Sequence, residues 1–191
     1  MNMDLPTEKN KKLSDFVTDQ LYQALKPLGF KRRDKHNLYR VLDESIQVIN
    51  VQTHRFDKNS ITVNMGIYYP AVMKLLEKEA PTKIPHEMYC TLRSRIGYWL
   101  EHALDTWWTY VDKDKLDEYR SRFQTDKNVY TDQVELTQNI VKAVSQKGIK
   151  FFEKFQSLED FKTHFDDIKS EPNKYVMSLL QEDIQKILQL K

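Results

Sequence analysis

Near the start of the chain, apolar residues recur at helical spacing, at Leu13, Phe16, Val17, Leu21 and Leu25, until Pro27 and Gly29 stop the pattern. This predicts an amphipathic helix over about residues 11 to 26. From His36 the period falls to two. Leu38 to Leu42, Ser45 to Arg55 and Ser60 to Tyr69 are rich in Val, Ile, Thr and Tyr, with Asp43-Glu44 and Asp57-Lys58-Asn59 between them. They predict three hairpin-linked, antiparallel strands.

A three-residue loop at Asp57-Lys58-Asn59 would pair Phe56 with Ser60 and set Gln52 opposite Asn64. One hairpin face then carries Ile49, Val51, Thr53, Ile61, Val63, Met65 and Ile67, an apolar surface for helices to cover. The other carries Val48, Asn50, Gln52, His54, Thr62, Asn64, Gly66 and Tyr68, and is polar in mid-strand.

Pro70 to Glu79 reads as a short helix and Thr82 to Glu87 as a proline-marked loop. Cys90 to Leu100 and Thr106 to Val111 read as two further strands, with a helical alternative open at His102 to Leu104. Within strands, Arg93 and Arg95 share a face while Trp107 and Trp108 point to opposite ones. Past Asp126 the pattern turns helical. Thr131 is placed to cap a helix with Val134, Ile140, Val141 and Val144, and Ser157 one with Leu158, Phe161, Phe165 and Ile168. Pro172 would open a last helix through Tyr175, Val176, Leu179, Leu180, Ile184, Ile187 and Leu188. The expectation is an α+β fold in one domain over residues 1–191. Residues 1–125 would hold a helix and a four- to five-stranded antiparallel sheet with helices on one face, and residues 126–191 a helical C-terminal section.

Composition narrows the function classes. A chain of 191 residues, 40% hydrophobic and 12% aromatic, has the apolar area for a packed core. The net charge of +2 gives no concentrated basic field for nucleic acid or membrane, although residues 1–100 sum to +5 and the rest to −3. Cys90 is the one cysteine, which rules out an internal disulfide and fits a reducing compartment. No run approaches the roughly 18 apolar residues that span a bilayer, and the N-terminus has no signal-peptide apolar stretch. A cytoplasmic protein without a membrane partner is expected.

Several blocks carry a resemblance. They are Leu28-Gly29-Phe30-Lys31-Arg32, Val48-Ile49-Asn50-Val51-Gln52 and Ile61-Thr62-Val63-Asn64-Met65-Gly66-Ile67-Tyr68, then Cys90 to Gly97 and Phe151-Phe152-Glu153-Lys154-Phe155 with Ser157-Leu158-Glu159. Over about residues 13 to 165 the chain resembles a bacterial family catalogued as domain of unknown function 4304, with Phe151 where that family places Trp. The resemblance implies a bacterial protein and brings no activity or catalytic residues with it.

The leading ligand-binding candidates are Asn50, Gln52, His54, Thr62 and Asn64, joined by Arg93 and Arg95. Amides and guanidinium groups on rigid strands can recognise a carboxylate, a phosphate or a base edge, or can satisfy one another in a structural network. The basic turn Lys31, Arg32, Arg33 and Lys35 offers phosphate contacts or a solvated turn. Trp99, Trp107, Trp108 and Tyr110 make either a stacking platform or core.

His86-Glu87-x-x-Cys90 has the four-residue separation of helical metal ligands but lacks a second thiol or a matched His pair. Asp112, Asp114, Asp117 and Glu118, mixed with Lys113, Lys115 and Arg120, read as an exposed, salt-bridged face. No spacing forms a recognisable catalytic set, and no metal or other cofactor is expected. Two functions lead, ahead of an enzyme whose site would be assembled from dispersed residues. One is a non-catalytic binding module holding a protein partner through a sheet face or an aromatic edge. The other is recognition of an anionic small ligand or nucleic acid by the strand amides and arginines.

Overall fold

The computed structural model describes residues 12–76, 83–123, 128–179 and 181–189. The residues read for a targeting segment, 1–11, lie outside that set. The first helical pattern forms α1 (Leu13–Leu25). Val17, Leu21 and Leu25 sit four residues apart, fall on one stripe and are fully buried against the sheet. Each such side chain contributes about 1.5–3 kcal/mol of burial.

After a 3-10 turn come β1 (Lys31–Arg32), β2 (Asn37–Val41), β3 (Ile46–Thr53) and β4 (Ser60–Tyr68), paired antiparallel in that order. The hairpin faces are the ones the period assigned, but the register differs by two residues. Asn50 lies opposite Asn64 and Gln52 opposite Thr62. The loop is the cause. His54 Nδ1 accepts from the amides of Phe56 and Asp57, while the Asp57 carboxylate accepts from Asn59 N–H and the Ser60 hydroxyl. These bonds hold a longer loop, closed where His54 N–H meets the Ser60 carbonyl at 2.8 Å. An even shift leaves every side chain on its own face.

Next is α2 (Pro70–Leu75), whose expected end at Glu79 lies outside the described residues, as does the Thr82 start of the following loop. β5 (Leu92–Arg95) is shorter than expected, because the chain folds into a 3-10 turn at Ile96–Trp99. Gly97 permits that turn, since a Cβ there would collide with the Leu104 carbonyl. β6 (Trp108–Tyr110), α3 (Leu116–Phe123) and β7 (Val129–Tyr130) follow. α4 (Gln133–Ala143) is capped by Asp132, not Thr131, through a 2.7 Å bond from Val134 N–H. It runs through a π-helical turn, Val144–Gly148, into α5 (Ile149–Lys154).

α6 (Leu158–Thr163) opens at Ser157 as expected, with a reciprocal capping box to Asp160, and α7 (Phe165–Ser170) follows. The helix expected from Pro172 is corrected. Residues 171–175 form a turn, β8 (Val176–Met177) joins the edge of β5, and α8 (Gln181–Leu188) begins only at residue 181. Tyr175 is buried between Trp99 and Phe155, and the edge of β5 supplies backbone partners that a helix would forgo.

The sheet therefore has eight strands, not four or five, in the order β1-β2-β3-β4-β5-β8, with β6 pairing β4 and carrying β7. The β6–β7 pair is parallel and all others are antiparallel. Three of the strands are two residues long, too short to show a period in sequence. Helices cover the apolar face, where Ile49, Val51, Ile61, Val63, Met65 and Ile67 meet α1 and the buried Leu136, Ile140, Phe151 and Phe152. Among the described residues no helix is long and apolar enough to cross a membrane.

Candidate functional site

The polar face of the hairpin is organised by cross-strand register. Asn37, Asn50, Asn64 and Arg95 are direct neighbours on β2, β3, β4 and β5. Their side chains bond in one direction. Arg95 Nε donates to Asn64 Oδ1 at 2.9 Å, Asn64 Nδ2 to Asn50 Oδ1 at 3.2 Å, Asn50 Nδ2 to Asn37 Oδ1 at 3.0 Å, and Asn37 Nδ2 to Asp34 Oδ1 at 2.6 Å. A guanidinium only donates and a carboxylate only accepts, so the two ends fix the orientation of every amide between them. Aligned amides polarise one another, which strengthens such a row.

Gln52 flanks the row, accepting from Asn64 Nδ2 at 2.7 Å and from Arg95 Nη2 at 3.5 Å. The hydrogen bonds from the Asn37 side chain and His36 N–H, with the Arg33 charge, outweigh burial and hold the Asp34 carboxyl below its usual range.

The other candidates have separate roles. Thr62 is buried and donates to the Thr106 carbonyl at 2.8 Å. His54 caps its loop and packs edge-on against Trp107, with ring centroids 4.8 Å apart. Arg93 Nε binds Glu87 Oε1 at 2.7 Å. Glu87 belongs to a 3-10 turn, Glu87–Tyr89, that crosses this face above Gly66, where a Cβ would come within 2.7 Å of Cys90 Sγ. Burial, and then the Glu87 charge, push the Cys90 thiol far up, leaving no thiolate at neutral pH. His86 lies in extended backbone ahead of that turn, so His86 and Cys90 do not share a helix face. Among the described residues, no group of three or more His, Cys, Asp or Glu is placed to hold a metal ion.

The basic turn is largely neutralised within the fold. Arg32 pairs with Asp19, Lys35 with Asp15 at 2.8 Å, and Arg33 with Asp34 at 2.8 Å, which leaves Lys31 exposed. The aromatic group divides. Trp108 is buried, and Trp99 packs on Phe151 and donates to Ser94 Oγ at 2.9 Å.

Trp107 and Tyr110, by contrast, line a solvent-open cleft of about 660 Å³ at the hairpin end of the sheet, together with His54, Phe56, Tyr119 and Phe123. Phe56 is 84% exposed and Phe123 52%. Arg95 lies 5.4 Å from the Trp107 ring and His54 meets it edge-on, so the polar row ends by clamping a cleft residue. Lys115 and Arg122 share the lining with Asp57, Asp112 and Glu118.

Sequence reasoning missed Asn37, Asp34, Glu87 and Asp105, whose carboxylate accepts from Arg95 Nη1, in the polar assembly, and Phe56, Tyr119 and Phe123 in the cleft. Register across the Asp43-Glu44 turn is the signal that reaches Asn37, whereas α3 meets the hairpin loop only through tertiary packing. A family model described as Domain of unknown function (DUF4304) matches residues 21–154, more than half of the chain. No curated protein and no solved structure matches it.

Proposed function

The chain belongs to this family, the domain of unknown function DUF4304, and on that premise we propose that it is a non-catalytic binding protein that holds a protein partner in its aromatic cleft. The observation that carries this reading is the pair of solvent-exposed anchors, Phe56 and Phe123, at the mouth of a cleft floored by Trp107 and Tyr110. Covering an exposed Phe contributes about 1.5–3 kcal/mol. Aromatic side chains and Arg122 within a polar rim match the composition of protein interfaces. Two cations against three carboxylates in the lining make no single-sign field of the kind an anionic polymer requires. Contacts with Arg95 and His54 hold the Trp107 ring in place without a partner, which lowers the cost of association.

The test compares the immobilised full chain with its Phe56→Ser/Phe123→Ser variant for proteins retained from the source cell. Removing two exposed anchors leaves the fold intact and costs about 2.8 kcal/mol of binding, on the order of 100-fold in affinity. A protein held by the wild type and by Arg93→Lys but lost from the double variant supports the proposal. Equal retention of every captured protein by the double variant overturns it.

A further inference from the structure

We propose a second, independent site for a small oxyanion, a phosphate or carboxylate group, in the cleft of about 170 Å³ between β5 and the turn that precedes β8. Arg93, Arg95, Lys174, Tyr98 and Asn173 line it, with Glu87 and Asn64. The two arginines are held alike but left in different states. Each has its Nε fixed by an acceptor, Glu87 for Arg93 and Asn64 for Arg95. The fork of Arg95 is then consumed by Asp105 at 2.5 Å and by Gln52. The fork of Arg93 has no partner among the described residues, and its side chain is 31% exposed. A buried carboxylate on Nε therefore orients a guanidinium whose two terminal nitrogens stay free, the arrangement that takes an oxyanion in two parallel hydrogen bonds.

Lys174 supplies the second charge. Its ammonium lies 4.5 Å from the Trp99 ring centroid and 3.1 Å from Glu171, which fixes a flexible side chain beside the cleft. Asp105 and Glu171, the partners of Arg95 and Lys174, lie outside the lining. Each of the three lining cations has one carboxylate partner, and Arg93 keeps both terminal nitrogens free toward the cleft, since Glu87 takes only its Nε. The volume equals about five or six waters of liquid, enough for an anionic group but below the roughly 300 Å³ at which pockets for larger organic ligands begin.

The full chain is titrated with inorganic phosphate, and separately with acetate, at low ionic strength, with NMR following the Arg93 Nε–H signal and the Tyr98 ring. Saturable shifts with a Kd below about 10 mM are expected. The tighter of the two anions identifies phosphate or carboxylate as the natural group. Arg93→Lys keeps the charge opposite Glu87 but removes the fork, so its Tm should match the wild type while affinity falls at least fivefold. Lys174→Gln should weaken binding similarly, and Lys115→Gln, in the aromatic cleft, should not. Shifts that fail to saturate with either anion, or Arg93→Lys and Lys174→Gln binding as the wild type does, overturn the site. Neither result bears on the aromatic cleft, whose test turns on Phe56 and Phe123.

Discussion

Alternate residues of β3 and β4 build two faces that are closed by different means. Ile49, Val51, Val63 and Met65 are sealed by helices that pack on them. Asn50, Gln52 and Asn64, interleaved with those residues, are tied instead by hydrogen bonds among themselves and to Arg95. Apolar burial has no direction, so the first face tolerates other apolar side chains of matching volume. The polar row has a donor end and an acceptor end, so altering one member leaves its neighbours with unmet groups. At its donor end the row meets the aromatic cleft, where Arg95 lies against the Trp107 ring.

The comparison is broken hardest on its apolar side. Phe152 is fully buried, its ring centroid lies 5.3 Å from that of Phe151 and 5.7 Å from that of Phe30, and its carbonyl accepts from Gln47. Phe152→Ala should cost about 3–5 kcal/mol in denaturant unfolding. A loss below about 1.5 kcal/mol would mean the helices do not seal this face. On the polar side, Asn64→Ala strands Arg95 Nε and Asn50 Oδ1 and should cost about 1–3 kcal/mol, although only one small side chain is removed. A double-mutant cycle with Asn50→Ala should give a coupling of about 0.5 kcal/mol or more. Strict additivity would reduce the row to a set of separate contacts.

Much of this contrast is legible from residues 45 to 69, because a period of two assigns faces without knowledge of partners. Register was misjudged since nothing local shows that His54 would accept two loop amides; the even error left the faces intact. Val176 and Met177 fit a helical stripe as well as a strand, and only the open edge of β5 and the burial of Tyr175 decide between them. Arg93 and Arg95 were readable as a pair, but their unequal states depend on Glu87 and Asp105, which lie on other segments. The aromatic cleft joins the loop at Phe56 to α3, so its full lining has no signature in any one stretch of chain.

The finest test addresses the acceptor end of the row. Asp34 titrates below the ordinary carboxyl value of 3.8 in the folded chain. A lowered folded-state value means that the carboxylate stabilises the fold above the unfolded pKa, and that this contribution fades as pH falls through the folded one. Asp34 is exposed, so screening limits the effect to below about 1 kcal/mol. Asp34→Asn should therefore lower stability slightly at pH 7 and flatten the loss of stability in acid below about pH 4, as read by unfolding at a series of pH values. The Asn side chain still offers an oxygen to Asn37, so what disappears is the charge and not the hydrogen bond. If the variant and the wild type trace the same acid profile, the row is anchored by Arg95 alone, and its direction is set from the cleft end.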